Sequence, residues 1–126
     1  MTTKMARLLL ATVLAAGSVL MFAGPASARV VIKARTDSSW GPDHPFAKIG
    51  EKVIWKNPTS NLHDVKSYNQ GKTWRLPRKQ LQTNNRNQVV RRFKKRGNYY
   101  FRCTIHSFRD GDGKWEGMIG IVHARR

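Results

Sequence analysis

The apolar residues of this chain fall into short runs and alternating pairs, with no stripe at helical spacing. Val30-Val31-Ile32 is a β-branched run suited to a strand. Lys52 to Lys56 (KVIWK) is introduced by Gly50 and closed by Asn57-Pro58, the punctuation expected around a strand. His63-Asp64-Val65 follows a polar turn at Thr59-Ser60-Asn61. A β-rich run covers Gln88 to Phe93, and Lys94 to Asn98 reads as a hairpin turn. From Asn98 to Cys103 the pattern has period two: Tyr99, Phe101 and Cys103 share one face, Tyr100 and Arg102 the other. Cys103 is therefore expected on the core face. Met118 to Ala124 predicts the last strand, with Met118, Gly120 and Val122 opposing Ile119, Ile121 and His123. Ser38 to Pro45 is rich in Gly, Pro, Ser and Asp and reads as a loop. The polar, basic stretch from Lys66 to Gln88 reads as a long connection with one short edge strand. These elements predict an all-β, antiparallel Greek-key sandwich of about seven or eight strands.

One segment lies outside that pattern. Lys4 and Arg7 precede an apolar run from Leu8 to Phe22, and Ala26-Ser27-Ala28 supplies a small-x-small cleavage site. This order predicts a Sec-type export signal over residues 1–28. Residues 29–126 then form a single domain, exported to the periplasm, the cell envelope or the medium. No second apolar stretch of spanning length follows, so the mature chain is expected to have no transmembrane segment.

Charge changes the picture of partners but not of fold. The chain has 24 Lys and Arg against 7 Asp and Glu, a formal charge of +17. Removing Lys4 and Arg7, one charge each, leaves +15. Clusters at Arg75 to Lys79 and Arg91 to Arg96 carry much of it. Such a charge favours acidic partners, anionic surfaces and nucleic acid, but no nucleic-acid-binding motif accompanies it, so no specific nucleic-acid role is expected.

Cysteine usage raises the chemical question. A small exported domain ordinarily pairs its cysteines, yet this chain has one, Cys103. A lone exported thiol is an oxidation liability unless it is buried or held by a metal. Cys103-Thr104-Ile105-His106 puts a thiolate and an imidazole three residues apart, and His63 lies upstream beside a strand. Zinc sites also use such spacings, and His44 or a loop carboxylate is available as a fourth zinc ligand. Two imidazoles, one thiolate and the thioether of Met118 match the preference of blue copper, a trigonal His₂Cys plane with a weak axial Met. Asp110 and Asp112 read as turn residues, and His44 and His123 as surface or strand residues.

The run from Gly50 to Asn57, the segment Pro58 to Val65, the run from Lys95 to His106 and the stretch Gly117 to Val122 resemble cupredoxins of the plastocyanin and pseudoazurin kind. The resemblance implies a small type 1 copper protein. One copper ion, cycling between Cu(I) and Cu(II), would be held by His63, Cys103, His106 and Met118. It implies a one-electron carrier serving a redox partner; the chain is expected to be monomeric and not an enzyme, and its positive charge to favour a partner with an acidic docking surface. Leu62, Ile105 and Phe108 would make an apolar patch around His106, framed by Arg102, Arg109 and Lys114. Two departures stand out. Asp64 occupies a place commonly held by Asn, with Thr104 as its expected partner. Eleven residues, Ser107 to Gly117, separate His106 from Met118 where the family has only a few. That insertion bears on the axial ligand above all. Two other classes stay open: a copper storage or delivery protein without redox turnover, and a small basic secreted enzyme such as a nuclease.

Overall fold

A computed structural model describes residues 29–68 and 74–126. The export-signal reading falls on residues 1–28 and lies outside them. Nine strands form among the described residues: β1 (Arg29–Ala34), β2 (Trp40–Gly41), β3 (Phe46–Lys48), β4 (Lys52–Lys56), β5 (His63–Ser67), β6 (Lys79–Leu81), β7 (Gln88–Arg92), β8 (Gly97–Arg109) and β9 (Trp115–Arg125). They build two sheets, ordered β2-β1-β4-β7 and β3-β9-β8-β5-β6. The sandwich expected from the alternating pattern is present, and the predicted edge strand is β6. The strand count exceeds the expected seven or eight because two short strands, β2 in the loop before Pro45 and β3 just after it, fall outside the predicted runs.

Pairing is not purely antiparallel. β1 runs parallel to β4, and β3 parallel to β9. Between β1 and β4 the chain crosses to the other sheet through β3, and it re-enters the first sheet in its original direction. Hydrophobic runs report burial but not strand direction, so the pattern could not reveal this.

The inner faces carry the core. Ile32, Val53, Trp55 and Val89 from one sheet meet Val65, Leu81, Tyr99, Phe101 and Val122 from the other. Phe101 sits at the centre, edge-on to Trp55 at 5.4 Å and to Trp40 at 5.5 Å between ring centroids. Such aromatic pairs add about 0.5–1.5 kcal/mol each beyond the area they bury. On β9 the buried positions are Met118, Gly120, Val122 and Ala124, one strict alternation. Regular pairs Tyr99↔Val122 and Phe101↔Gly120 place that face against the Cys103 face of β8.

Candidate metal centre

His63 is delivered by a loop that one buried side chain organises. Asn57 directly follows β4 and is fully buried. Its Nδ2 donates to the carbonyls of Asn61 (2.8 Å) and Leu81 (3.1 Å), while its Oδ1 accepts from Thr59 N (3.1 Å) and Thr59 Oγ1 (2.6 Å). The side chain thus satisfies backbone groups of Asn57-Pro58-Thr59-Ser60-Asn61 and pins that turn to β6. His63 opens β5 directly after it.

Cys103 and His106 come from within β8. Regular pairing with β9 stops at Arg102↔Ile119 and resumes at Ser107↔Gly117. Four residues, Cys103 to His106, therefore oppose the single residue Met118. A bulge of this kind re-aims side chains and is frequent beside functional sites. It brings His106 back toward Cys103. Gly117 closes it at φ +87°, and a β-carbon there would lie 2.4 Å from the carbonyl oxygen of His106. Only glycine lets β9 approach the bulge so closely.

The eleven residues after His106 are a paired extension of the same hairpin. Ser107, Phe108 and Arg109 pair with Gly117, Glu116 and Trp115. Asp110 turns the tip: its Oδ1 accepts from Asp112 N at 2.8 Å and Lys114 N at 2.9 Å. Because the ribbon goes out and back in register, the insertion lengthens the hairpin without displacing Met118. Met118 is fully buried, is the next residue beyond the last regular pair, and lies on the face shared with Cys103. Its carbonyl accepts from Trp40 Nε1 at 3.2 Å.

The donor atoms of His63, Cys103 and His106 all lie within 4.8 Å of one another. Cys103 Sγ is 3.9 Å from His63 Nδ1 and 3.5 Å from His106 Nδ1. A first-row metal bound at about 2.3 Å to sulfur and about 2.0–2.1 Å to nitrogen sets N···S near 3.5 Å if tetrahedral and about 3.8 Å if trigonal. The spacing fits a shared cation. Electrostatics point the same way. Burial lowers the pKa of His63, as does the neighbouring His106, against the pull of Asp64. The ring is thereby kept in its neutral, ligating form. Burial pushes the Cys103 thiol up, while the backbone N–H groups of Asp64, Ile105 and His106 oppose the rise. A bound cation would complete the stabilisation of the thiolate.

Asp64 is tied as its position suggests. Its Oδ1 accepts from Thr104 N at 2.5 Å, and its Oδ2 accepts from Thr104 Oγ1 and from Arg78 Nε at 2.7 Å. Its own N–H donates to Cys103 Sγ at 3.5 Å. Burial works to raise its pKa, but the side-chain and backbone hydrogen bonds from Thr104 and those from Arg78 outweigh it and hold it low. Sequence reasoning missed Asn57 and Arg78. The Asn-Pro strand ending was the available signal for the first; the second sat unmarked in a basic cluster.

Around the centre, Leu62 (57% exposed), Ile105 (49%) and Phe108 (59%) are open to solvent. Arg102 and Arg109 place their guanidinium carbons 3.8 Å and 4.8 Å from the Trp115 ring centroid. His44 and His123 lie outside this cluster of candidate ligands and contact one another, Nδ1 to Nε2 at 3.4 Å. No helix among the described residues is long and apolar enough to cross a membrane.

No family model and no curated protein sequence matches the chain. Solved structures do. A purple cupredoxin from Nitrosopumilus maritimus is 18% identical, with a TM-score of 0.54 over 76% of this chain and 99% of its own. A reduced amicyanin variant is 18% identical, with a TM-score of 0.59 over 77% and 82%. A copper-containing nitrite reductase from Thermus scotoductus reaches a TM-score of 0.61 at 18% identity, over 79% of this chain but only 23% of the enzyme. The chain has the cupredoxin fold.

Proposed function

We propose that this protein is an exported type 1 copper protein that carries single electrons, with residues 1–28 removed on export. The observation that carries the reading is the convergence of two imidazole nitrogens on one buried thiol, 3.5 Å and 3.9 Å from the sulfur. Met118 on the same face supplies the thioether that completes a blue-copper donor set. Copper held there would cycle between Cu(I) and Cu(II). The likeness in fold to a nitrite reductase that contains copper supports the choice of metal.

The chain's own residues hold the donors in place. Asn57 pins the loop before His63. Asp64 locks β5 to Thr104 on the bulge, and Trp40 anchors the carbonyl of Met118. The segments that carry the donors are thus held by bonds outside the centre, which limits rearrangement between oxidation states. The half-buried His106 lies on the bulge that also carries the exposed Ile105. With Phe108 two residues further along β8 and Leu62 next to His63, these form the apolar exit for the electron. Arg102, Arg109 and Lys114 favour an acidic redox partner. His63 is fully buried, which speaks against a His63–His106 acid–base pair acting on a polymer.

The test is to add Cu(II) to purified protein and record its visible spectrum, then reduce it. An intense thiolate-to-copper absorption, lost on reduction and absent in Cys103→Ser, supports the proposal. Folded, copper-loaded protein without that absorption refutes the type 1 site. A blue protein that exchanges no electrons with small redox mediators would instead be a storage or delivery protein.

A further inference from the structure

Asp64 is fully buried, with its backbone N–H on the Cys103 sulfur and its carboxylate on Thr104, the residue after Cys103. An anion there would draw the centre toward its oxidised form, and an uncompensated buried charge is costly in itself. The Asp64 side chain is 0% exposed, whereas that of Arg78 is 59% exposed. The guanidinium therefore reaches in from solvent and retains much of its hydration. The register explains the reach. Asp64 pairs directly with Gln80 across β5 and β6, which makes position 78 the diagonal neighbour on the same face. A long side chain spans that diagonal, and Arg78 Nε donates to Oδ2 at 2.7 Å. A carboxamide at position 64 has a single acceptor oxygen, and could not receive on both branches as Asp64 does.

We propose that Arg78 is a positioning and charge-compensating residue of the metal centre. It neutralises Asp64, so that the carboxylate locks the Cys103–His106 bulge without biasing the centre toward Cu(II). The inference rests on the copper reading and deepens it. Arg78 bonds to the Asp64 carboxylate rather than to a candidate ligand, and acts through it.

The test uses R78Q, R78K, D64N and the D64N/R78Q double variant of the full chain. In copper-loaded protein, R78Q favours Cu(II) about fivefold more than wild type, a fall of about 41 mV at about 59 mV per decade for a one-electron couple. D64N shifts the potential the opposite way. The double variant lies between the two single variants, and R78K stays within about twofold of wild type because its charge is kept. Shifts of the same sign in R78Q and D64N would indicate general disturbance and overturn the proposal, as would R78Q indistinguishable from wild type. A second readout needs no metal. In metal-free protein, amide exchange at Thr104 quickens about tenfold in R78Q, as one of the bonds anchoring Asp64 is lost, and R78K restores it. Unchanged exchange in R78Q overturns the proposal even if no blue band forms. Absence of the band in wild type, with exchange altered as expected, sinks the copper reading alone.

Discussion

Gly117→Ala should damage the metal centre through the backbone, without touching any candidate ligand side chain. Two costs arise at this position. The residue has φ +87°, and an L-residue held in the left-handed region loses roughly 1–2 kcal/mol relative to glycine. The added β-carbon would also sit 2.4 Å from the carbonyl oxygen of His106. Restoring ordinary contact requires His106 and β9 to part by about 1 Å. Strain of that kind costs about 1–3 kcal/mol more, and a shift of about 1 Å exceeds the roughly 0.5 Å tolerance of a preorganised site. Gly113 is the matched control: φ is +76°, and a β-carbon there meets nothing within 4 Å. Gly113→Ala should therefore lose only the conformational part. For a domain of this size each kcal/mol is about 4–8 °C in Tm. The assay is thermal unfolding of both metal-free variants, then copper titration followed by the visible spectrum. Gly117→Ala should melt well below Gly113→Ala and show weakened or altered thiolate-to-copper absorption. Equal melting of the two, with a wild-type spectrum in both, would refute the claim that Gly117 positions His106.

Three further outcomes are expected. Asn57→Ala removes a side chain with four hydrogen bonds, three within the loop before His63 and one to Leu81 on β6. It should cost about 2–4 kcal/mol in denaturant unfolding, and weaken copper retention against a chelator. Trp40→Phe keeps a ring beside Phe101 but strips the donor from the Met118 carbonyl. A loss of about 1–3 kcal/mol is expected, and an unchanged denaturation midpoint would show that another donor replaces it. Electron exchange with an acidic redox protein should slow as salt rises past about 0.1 M, where the Debye length is about 10 Å. A rate independent of ionic strength would remove electrostatic docking.

Legibility in the sequence tracked distance along the chain. The alternation Tyr99, Phe101, Cys103 is local, and it identified the core face because strand side chains switch sides at every residue. The bounds of β4 were visible in Gly50 and Asn57-Pro58, because chain-breaking residues act on their immediate neighbours in sequence. The middle segment was opaque. Arg78 stands among Arg75 to Lys79, and nothing in a basic run distinguishes a solvated guanidinium from one that partners a buried carboxylate. That distinction arises only when β6 pairs with β5 and puts position 78 on the diagonal from Asp64. The parallel pairs β1/β4 and β3/β9 were equally silent, since burial does not record direction.

The long stretch from Ser107 to Gly117 divides the two kinds of information most clearly. Sequence by itself determined the donor types, the Cys103–His106 spacing, the turn chemistry of Asp110 to Gly113 and the core-facing side of β8 and β9. It could count eleven residues before Met118 but not say where they go. Tertiary structure decided that they pair with one another, so the chain returns in register and Met118 faces the Cys103 bulge. Composition and periodicity are properties of neighbours in sequence, whereas register is a choice among competing cross-strand pairings. Only the packed sheet, with Gly117 tight against His106, makes that choice.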